Sequence, residues 1–152
     1  MLVEMRITGI DGVLDLLKKL PPSVVSKRGG PVRAALRKGA LKISKPAKAN
    51  LRRSAAGEDN TGLLLSSLVV SRGKPPTDGR GERYLVRIKR QNYKRKGQTV
   101  TTLKTANLLE YGSSQQPAEP WLRPAFLSNA QAAIDETIRS LLDAINKIVN
   151  RS

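Results

Sequence analysis

The chain of 152 residues sets 28 Lys and Arg against 12 Asp and Glu, a formal net charge of +16, and contains neither His nor Cys. That composition excludes disulfides, thiolate metal sites and Cys nucleophiles, and removes the commonest metal ligand and the usual general base near neutral pH. With 39% hydrophobic and 3% aromatic residues, it predicts one domain over residues 1–152 with an aliphatic core and a surface suited to a polyanion: nucleic acid, anionic lipid or an acidic protein face.

The charge is unevenly placed. Residues 18–53 carry twelve basic side chains and no acid, and residues 71–104 carry eleven against Asp78 and Glu82. The remaining segments are each slightly acidic. Glu4, Asp11 and Asp15 interrupt any signal-peptide core, and no apolar run approaches the roughly 20 residues of a membrane span. The expectation is a soluble protein made in a cytoplasm, with no membrane partner.

Val3 to Ile7 alternates with a period of two and predicts a half-buried strand. A short helix follows to Leu20, with Val13, Leu14, Leu17 and Leu20 on its apolar face, and Pro21-Pro22 ends it. Pro31 suits the first turn of a second helix, in which Val32, Leu36, Ala40, Ile43 and Ala47 form a buried stripe. Arg33, Arg37, Lys38, Lys42, Lys45 and Lys48 fill much of the remainder, which reads equally as a solvated or as a polyanion-facing surface. Pro46 is expected to kink or divide this helix.

Residues 54–62 read as a flexible loop, and Leu65 to Ser71 as a strand. A polar loop over 72–82 follows, then a strand from Tyr84 to Lys89. Residues 90–98 form the flexible, basic tip of a long hairpin whose return strand is Thr99 to Leu103. A helical turn through Ala106 to Tyr111 closes on Gly112, a suitable C-terminal cap. Beyond Pro124, Leu127, Ala130, Ile134, Ile138, Leu141, Ile145 and Ile148 recur at three- and four-residue steps, predicting a long amphipathic helix. The fold class is therefore α+β: a small antiparallel β-sheet packed against helices, with a long C-terminal amphipathic helix and a basic β-hairpin arm.

The connector from Leu108 to Phe126 holds the only Trp and the only Phe. It reads as a corner: Pro120 stiffens the approach, and Trp121, Leu122 and Phe126 supply apolar area where sheet meets helix. Pro124 should force Arg123 into an extended conformation and start the helix. Glu110 and Arg123 are natural charge partners, within one subunit or across an interface.

Several segments taken in order resemble a family of tailed-bacteriophage proteins, the head–tail neck or tail-completion proteins of siphophages. Asn60-Thr61-Gly62-Leu63-Leu64 with Ser66 and Ser67 is similar to the family's Thr-Gly-x-Leu-x-x-Ser lead-in to the sheet. Leu109-Glu110-Tyr111-Gly112-Ser113 is similar to its Glu-Phe/Tyr-Gly-Thr step. Pro120-Trp121-Leu122-Arg123-Pro124-Ala125 is close to its Pro-Phe-Leu-Arg-Pro-Ala signature, and a terminal helix follows. Trp121 stands for the commoner Phe, Ser113 for the commoner Thr, and the 90–98 segment is unusually basic.

The resemblance implies a structural virion protein, assembled in the host cytoplasm. It would form a ring, hexameric by that resemblance, around the DNA channel between connector and tail. Its partners would be further copies, the neighbouring connector, head-closure and tail proteins, and, without sequence preference, channel DNA. Arg33, Arg37, Lys38, Lys42, Lys45, Lys89, Arg90, Lys94, Arg95 and Lys96 are the candidate DNA or partner contacts, with Tyr93 to Lys96 as a projecting arm. The alternative is a dedicated nucleic-acid-binding protein acting through phosphate contacts, although aromatics are too few for stacking platforms. Catalysis would need a carboxylate pair, a Ser–Lys arrangement or a carboxylate-held metal. The acids form no spaced ligand set, and Gly73-Lys74 and Lys96-Gly97 lack the upstream glycine of a phosphate loop. The chain is expected to be no enzyme and to hold no cofactor or metal.

Overall fold

The structure, a computed structural model, describes residues 30–58, 60–74 and 82–150; the strand and short helix expected before residue 30 lie outside them. Helix α1, Gly30–Ser54, carries Pro31 in its first turn and Arg52 and Arg53 in its last, where positive charge complements the helix dipole. Pro46 lies inside α1, and the helix runs on undivided. Pro46 removes one internal hydrogen bond, but Ile43 and Ala47 on either side of it are buried in the core and hold both halves.

Helix α2, Thr61–Ser66, follows a turn, and strand β1 is Leu68–Arg72. Residues 65–67 thus finish a helix instead of opening a strand. The reason is local: Thr61 Oγ1 donates to the Glu58 carbonyl at 2.9 Å, and Ser67 Oγ to the Leu63 carbonyl at 2.7 Å. This turn buries Leu64 and Leu65 together. Strand β2, Tyr84–Ile88, pairs antiparallel with β1, Leu68 opposite Ile88 and Arg72 opposite Tyr84.

Strands β3, Asn92–Arg95, and β4, Gln98–Thr101, form a second, separate antiparallel hairpin. The single long hairpin expected from the sequence is therefore two hairpins, and β2 pairs with β1 instead of with the return strand. Buried Thr102 makes the break. Its Oγ1 donates to the Lys89 carbonyl at 2.7 Å and accepts from the Gln91 N–H at 2.9 Å, while its own N–H donates to the Gln91 carbonyl. The chain turns there and cannot extend β2.

Thr101 caps helix α3, Thr102–Tyr111, its hydroxyl accepting the Lys104 N–H at 3.1 Å. Gly112 ends the helix at φ 73°, as expected, and a methyl there would come within 2.7 Å of the Ala118 nitrogen. Helix α4, Leu122–Val149, packs along α1, the most extensive contact in the fold. The architecture is α+β, two small antiparallel hairpin sheets against helices with the long C-terminal helix laid on α1.

Ala40, Ile43 and Ala47 of the expected α1 stripe and Leu141 and Ile145 of the expected α4 stripe are buried, and the line where the two helices meet departs from those stripes elsewhere. On α1, Ala35 and Gly39 are buried while Val32 and Leu36 are half-buried; on α4, Ala133 and Thr137 are buried while Leu127 is 76% exposed. At these positions small residues win because they let the helix backbones approach, while Leu141 and Ile145 are buried against Ala35 further along the pair. A methyl on Gly39 would collide with Thr137 Oγ1 and come within 2.8 Å of the Ala133 carbonyl. Gly39→Ala is therefore expected to destabilise the fold by about 1–3 kcal/mol, despite alanine's better helix propensity. Because the Ala133 backbone contact persists, adding Thr137→Ala should relieve the cost only in part, as chemical unfolding of the two variants would show.

Candidate functional site

The two segments that carry the corner signature meet in a single structural unit. Glu110, at the end of α3, is 2% exposed. Its carboxylate accepts the backbone N–H groups of Trp121 at 2.8 Å, Leu122 at 2.9 Å and Arg123 at 3.0 Å. These are the first donors of α4, which would otherwise lack partners, and the next residue, Pro124, has no N–H to satisfy. A negative charge at this end also suits the helix dipole. Arg123 is thus helical rather than extended, and Pro124 sits in the first turn, where its ring displaces no hydrogen bond.

Trp121 is fully buried. Its Nε1 donates to the Ala106 carbonyl at 3.0 Å, and its own carbonyl accepts from Asn50 Nδ2 at 3.2 Å, so one residue fastens α3, α4 and α1. Leu109 and Leu122 are buried beside it and Phe126 is partly so. The expected Glu110–Arg123 pair is present but long, Nε to Oε1 at 3.6 Å, with the Arg123 side chain 59% exposed. Its guanidinium lies 4.6 Å over the Tyr111 ring, which is itself exposed. Pro120 and Pro124 are exposed. The carboxylate therefore acts mainly on backbone, and Arg123 and Tyr111 form an outward-facing patch beside the elbow.

The basic candidates separate into two sets. Arg33 donates to Glu82 at 2.8 Å, and Arg72 meets the same carboxylate at 3.0 Å, tying α1 to the β1–β2 hairpin. Arg95 grips Glu58 through two hydrogen bonds, at 2.7 and 2.9 Å, and Tyr93 is buried with its hydroxyl against Thr105. The hairpin is therefore docked on α3 and the α1–α2 turn; its Tyr93 and Arg95 do not project. Lys94, whose Nζ donates to Thr99 Oγ1 at 2.8 Å, and Lys96 in the turn are exposed, as are Lys89 and Arg90. Burial raises the Glu82 carboxyl, and the Arg33 and Arg72 guanidiniums more than offset it, leaving it below its ordinary value. A depressed carboxyl contributes stability above its unfolded value and loses it as pH falls through the folded one. Glu82→Gln should therefore lower Tm by about 1–4 °C at neutral pH, and the difference from wild type should vanish in acid.

The exposed side of α1 is the second set. Arg37, Lys38, Lys42 and Lys45 all face solvent, and Lys48, Arg52 and Arg53 extend the surface to the helix end. Lys38, Lys45 and Arg52 stand seven residues apart, one line about 21 Å long at 1.5 Å per residue. Arg52 and Arg53 are not among the expected contacts, although the seven-residue step from Lys45 to Arg52 marks the first of them in the sequence. The Arg139 guanidinium, with Lys42 across the helix pair, holds the Glu136 carboxyl below its ordinary value, so Lys42 has an acidic neighbour.

Among the described residues, no group of three or more acidic, His or Cys side chains could hold a metal ion, and no helix is long and apolar enough to cross a membrane. No protein-family model, curated protein or solved structure matches the chain.

Proposed function

We propose that the chain is a structural component of a bacteriophage head–tail neck, acting in several copies as a ring around the DNA conduit, without catalytic activity. The observation that carries this reading is the Glu110 cap. The Glu-Tyr-Gly step and the Pro-Trp-Leu-Arg-Pro-Ala string, on which the resemblance to neck proteins rests, are joined through three backbone hydrogen bonds and one tryptophan. They form one physical device, a rigid elbow, and not two short strings coinciding. The exposed Leu127 and Tyr111 flank that elbow and offer contacts to a neighbouring copy or ring. The basic line on α1 suits the phosphates of channel DNA. Electron microscopy of tailed particles produced with this chain, labelled with an antibody against it, tests the reading. Label at the head–tail junction is expected; particles without label, or label elsewhere, would overturn it.

A second reading, a dedicated duplex-binding protein, is favoured by α1 alone, whose exposed face carries seven basic side chains, with no acidic residue anywhere in the helix. Such a protein should bind duplex with a steep salt dependence. Lys38→Gln, Lys45→Gln and Arg52→Gln together should reduce the slope of log K against log salt by about 2.7, or 0.9 per phosphate contact. A change in slope well below that would place the contacts elsewhere.

A further inference from the structure

A groove of about 590 Å³ runs between the edge of β4 and the outer face of α3. On α3, Lys104, Asn107, Leu108 and Tyr111 recur at three- and four-residue steps and form one wall, with Thr99 and its β4 neighbours opposite. Among the described residues, β4 has one strand neighbour, β3. The turn at Lys96-Gly97, with φ of 51° and 78°, is the two-residue kind that sets Arg95 opposite Gln98 as a hydrogen-bonded pair. Antiparallel alternation then directs the backbone of Gln98 and Val100 to β3, and turns the N–H and carbonyl of Thr99 toward the groove.

Two further features specify what belongs there. Asn107, on the α3 wall, has its Oδ1 buried with no hydrogen-bond partner among the described residues, and a rotation of its amide toward the groove would give that oxygen an incoming backbone N–H as partner. Exposed Arg90 and Lys104 stand on the rim, and no acidic side chain lines the groove. We propose that this groove receives an extended, acidic segment of a partner protein, added as a third strand on β4. Main-chain hydrogen bonds to Thr99 supply register, Leu108 and Tyr111 take an apolar side chain, and Arg90 and Lys104 meet the carboxylates.

The charge complementarity favours a foreign chain over a second copy. A second copy would bring a net charge of +16 to the same basic rim, and its Glu58, Glu82, Glu110 and Glu136 are already engaged by Arg95, by Arg33 and Arg72, by the α4 cap and by Arg139. A duplex fits poorly, because its phosphates meet protruding cations and have no use for a concave strand edge. The proposal does not depend on the neck reading and survives its failure.

A display library of random short peptides, panned against the full-length protein, tests it. The expected winners alternate Asp or Glu with Val, Ile or Leu. Their affinity should fall by about tenfold or more for Thr99→Pro, which removes the groove-side N–H without breaking the β3 ladder. A comparable loss is expected for Lys104→Glu, a surface change that serves as the folding-safe variant. N-methylation of alternate peptide nitrogens should abolish binding in one phase and spare it in the other. The proposal is overturned if no acidic consensus emerges, if binding survives both variants or ignores the methylation phase, or if a short duplex competes equally. It is overturned equally if the protein self-associates through a surface that Thr99→Pro disrupts, since a second copy then occupies the edge.

Discussion

Trp121→Ala is expected to lower the unfolding free energy by about 3–5 kcal/mol, the usual cost of truncating a large aromatic in a packed core. Trp121 has no exposed surface, and its deletion would empty the point where α1, α3 and α4 meet. The loss is compounded because the indole N–H leaves the Ala106 carbonyl without that donor. Trp121→Phe separates the contributions: most of the apolar contact stays, and the missing hydrogen bond leaves a smaller deficit of about 1–2 kcal/mol. Circular dichroism during urea unfolding would measure both. Since Trp121 is the sole tryptophan, wild-type fluorescence reports directly on the elbow. A deficit below about 1 kcal/mol for the alanine variant would refute its role as the fastening residue.

Glu110→Ala should be comparably severe, at about 3–5 kcal/mol, because buried donors are left with neither carboxylate nor water. Glu110→Gln keeps the shape but turns an amide NH2 toward at least one N–H, and should cost about 1–3 kcal/mol. Arg123→Ala is the informative contrast. With its side chain largely exposed and its ion pair at 3.6 Å, its removal should change stability by no more than about 1 kcal/mol. Equal losses for Glu110→Ala and Arg123→Ala would mean that the ion pair, and not the backbone cap, holds the corner.

What could be read from the sequence followed periodicity and punctuation. The long terminal helix, the Gly112 stop and the burial of Trp121 all declare themselves in local spacing. The partnership of Glu110 with residue 123 was legible as a charge pair, but its main form was not. Capping acids usually sit within a turn of the helix they serve, whereas Glu110 reaches from the preceding helix across a loop. The α1–α4 seam was hidden for a different reason. Hydrophobic stripes weight large side chains, and close backbone approach selects Gly39, Ala133 and Thr137, which carry little weight. The division into two hairpins turns on one hydroxyl, that of Thr102, whose bonds to Lys89 and Gln91 are tertiary. Likewise, nothing near Arg95 or Arg33 in sequence announces Glu58 or Glu82, so both arginines looked available.

The main-chain grip of Glu110 has an evolutionary consequence. A clasp that holds N–H groups is indifferent to the side chains those residues display, so Arg123 and, one turn on, Leu127 can be exchanged without loosening it. Stability and recognition are thereby uncoupled at one location. Divergent descendants could keep the same hinge pin while rewriting what the outer plate mates with.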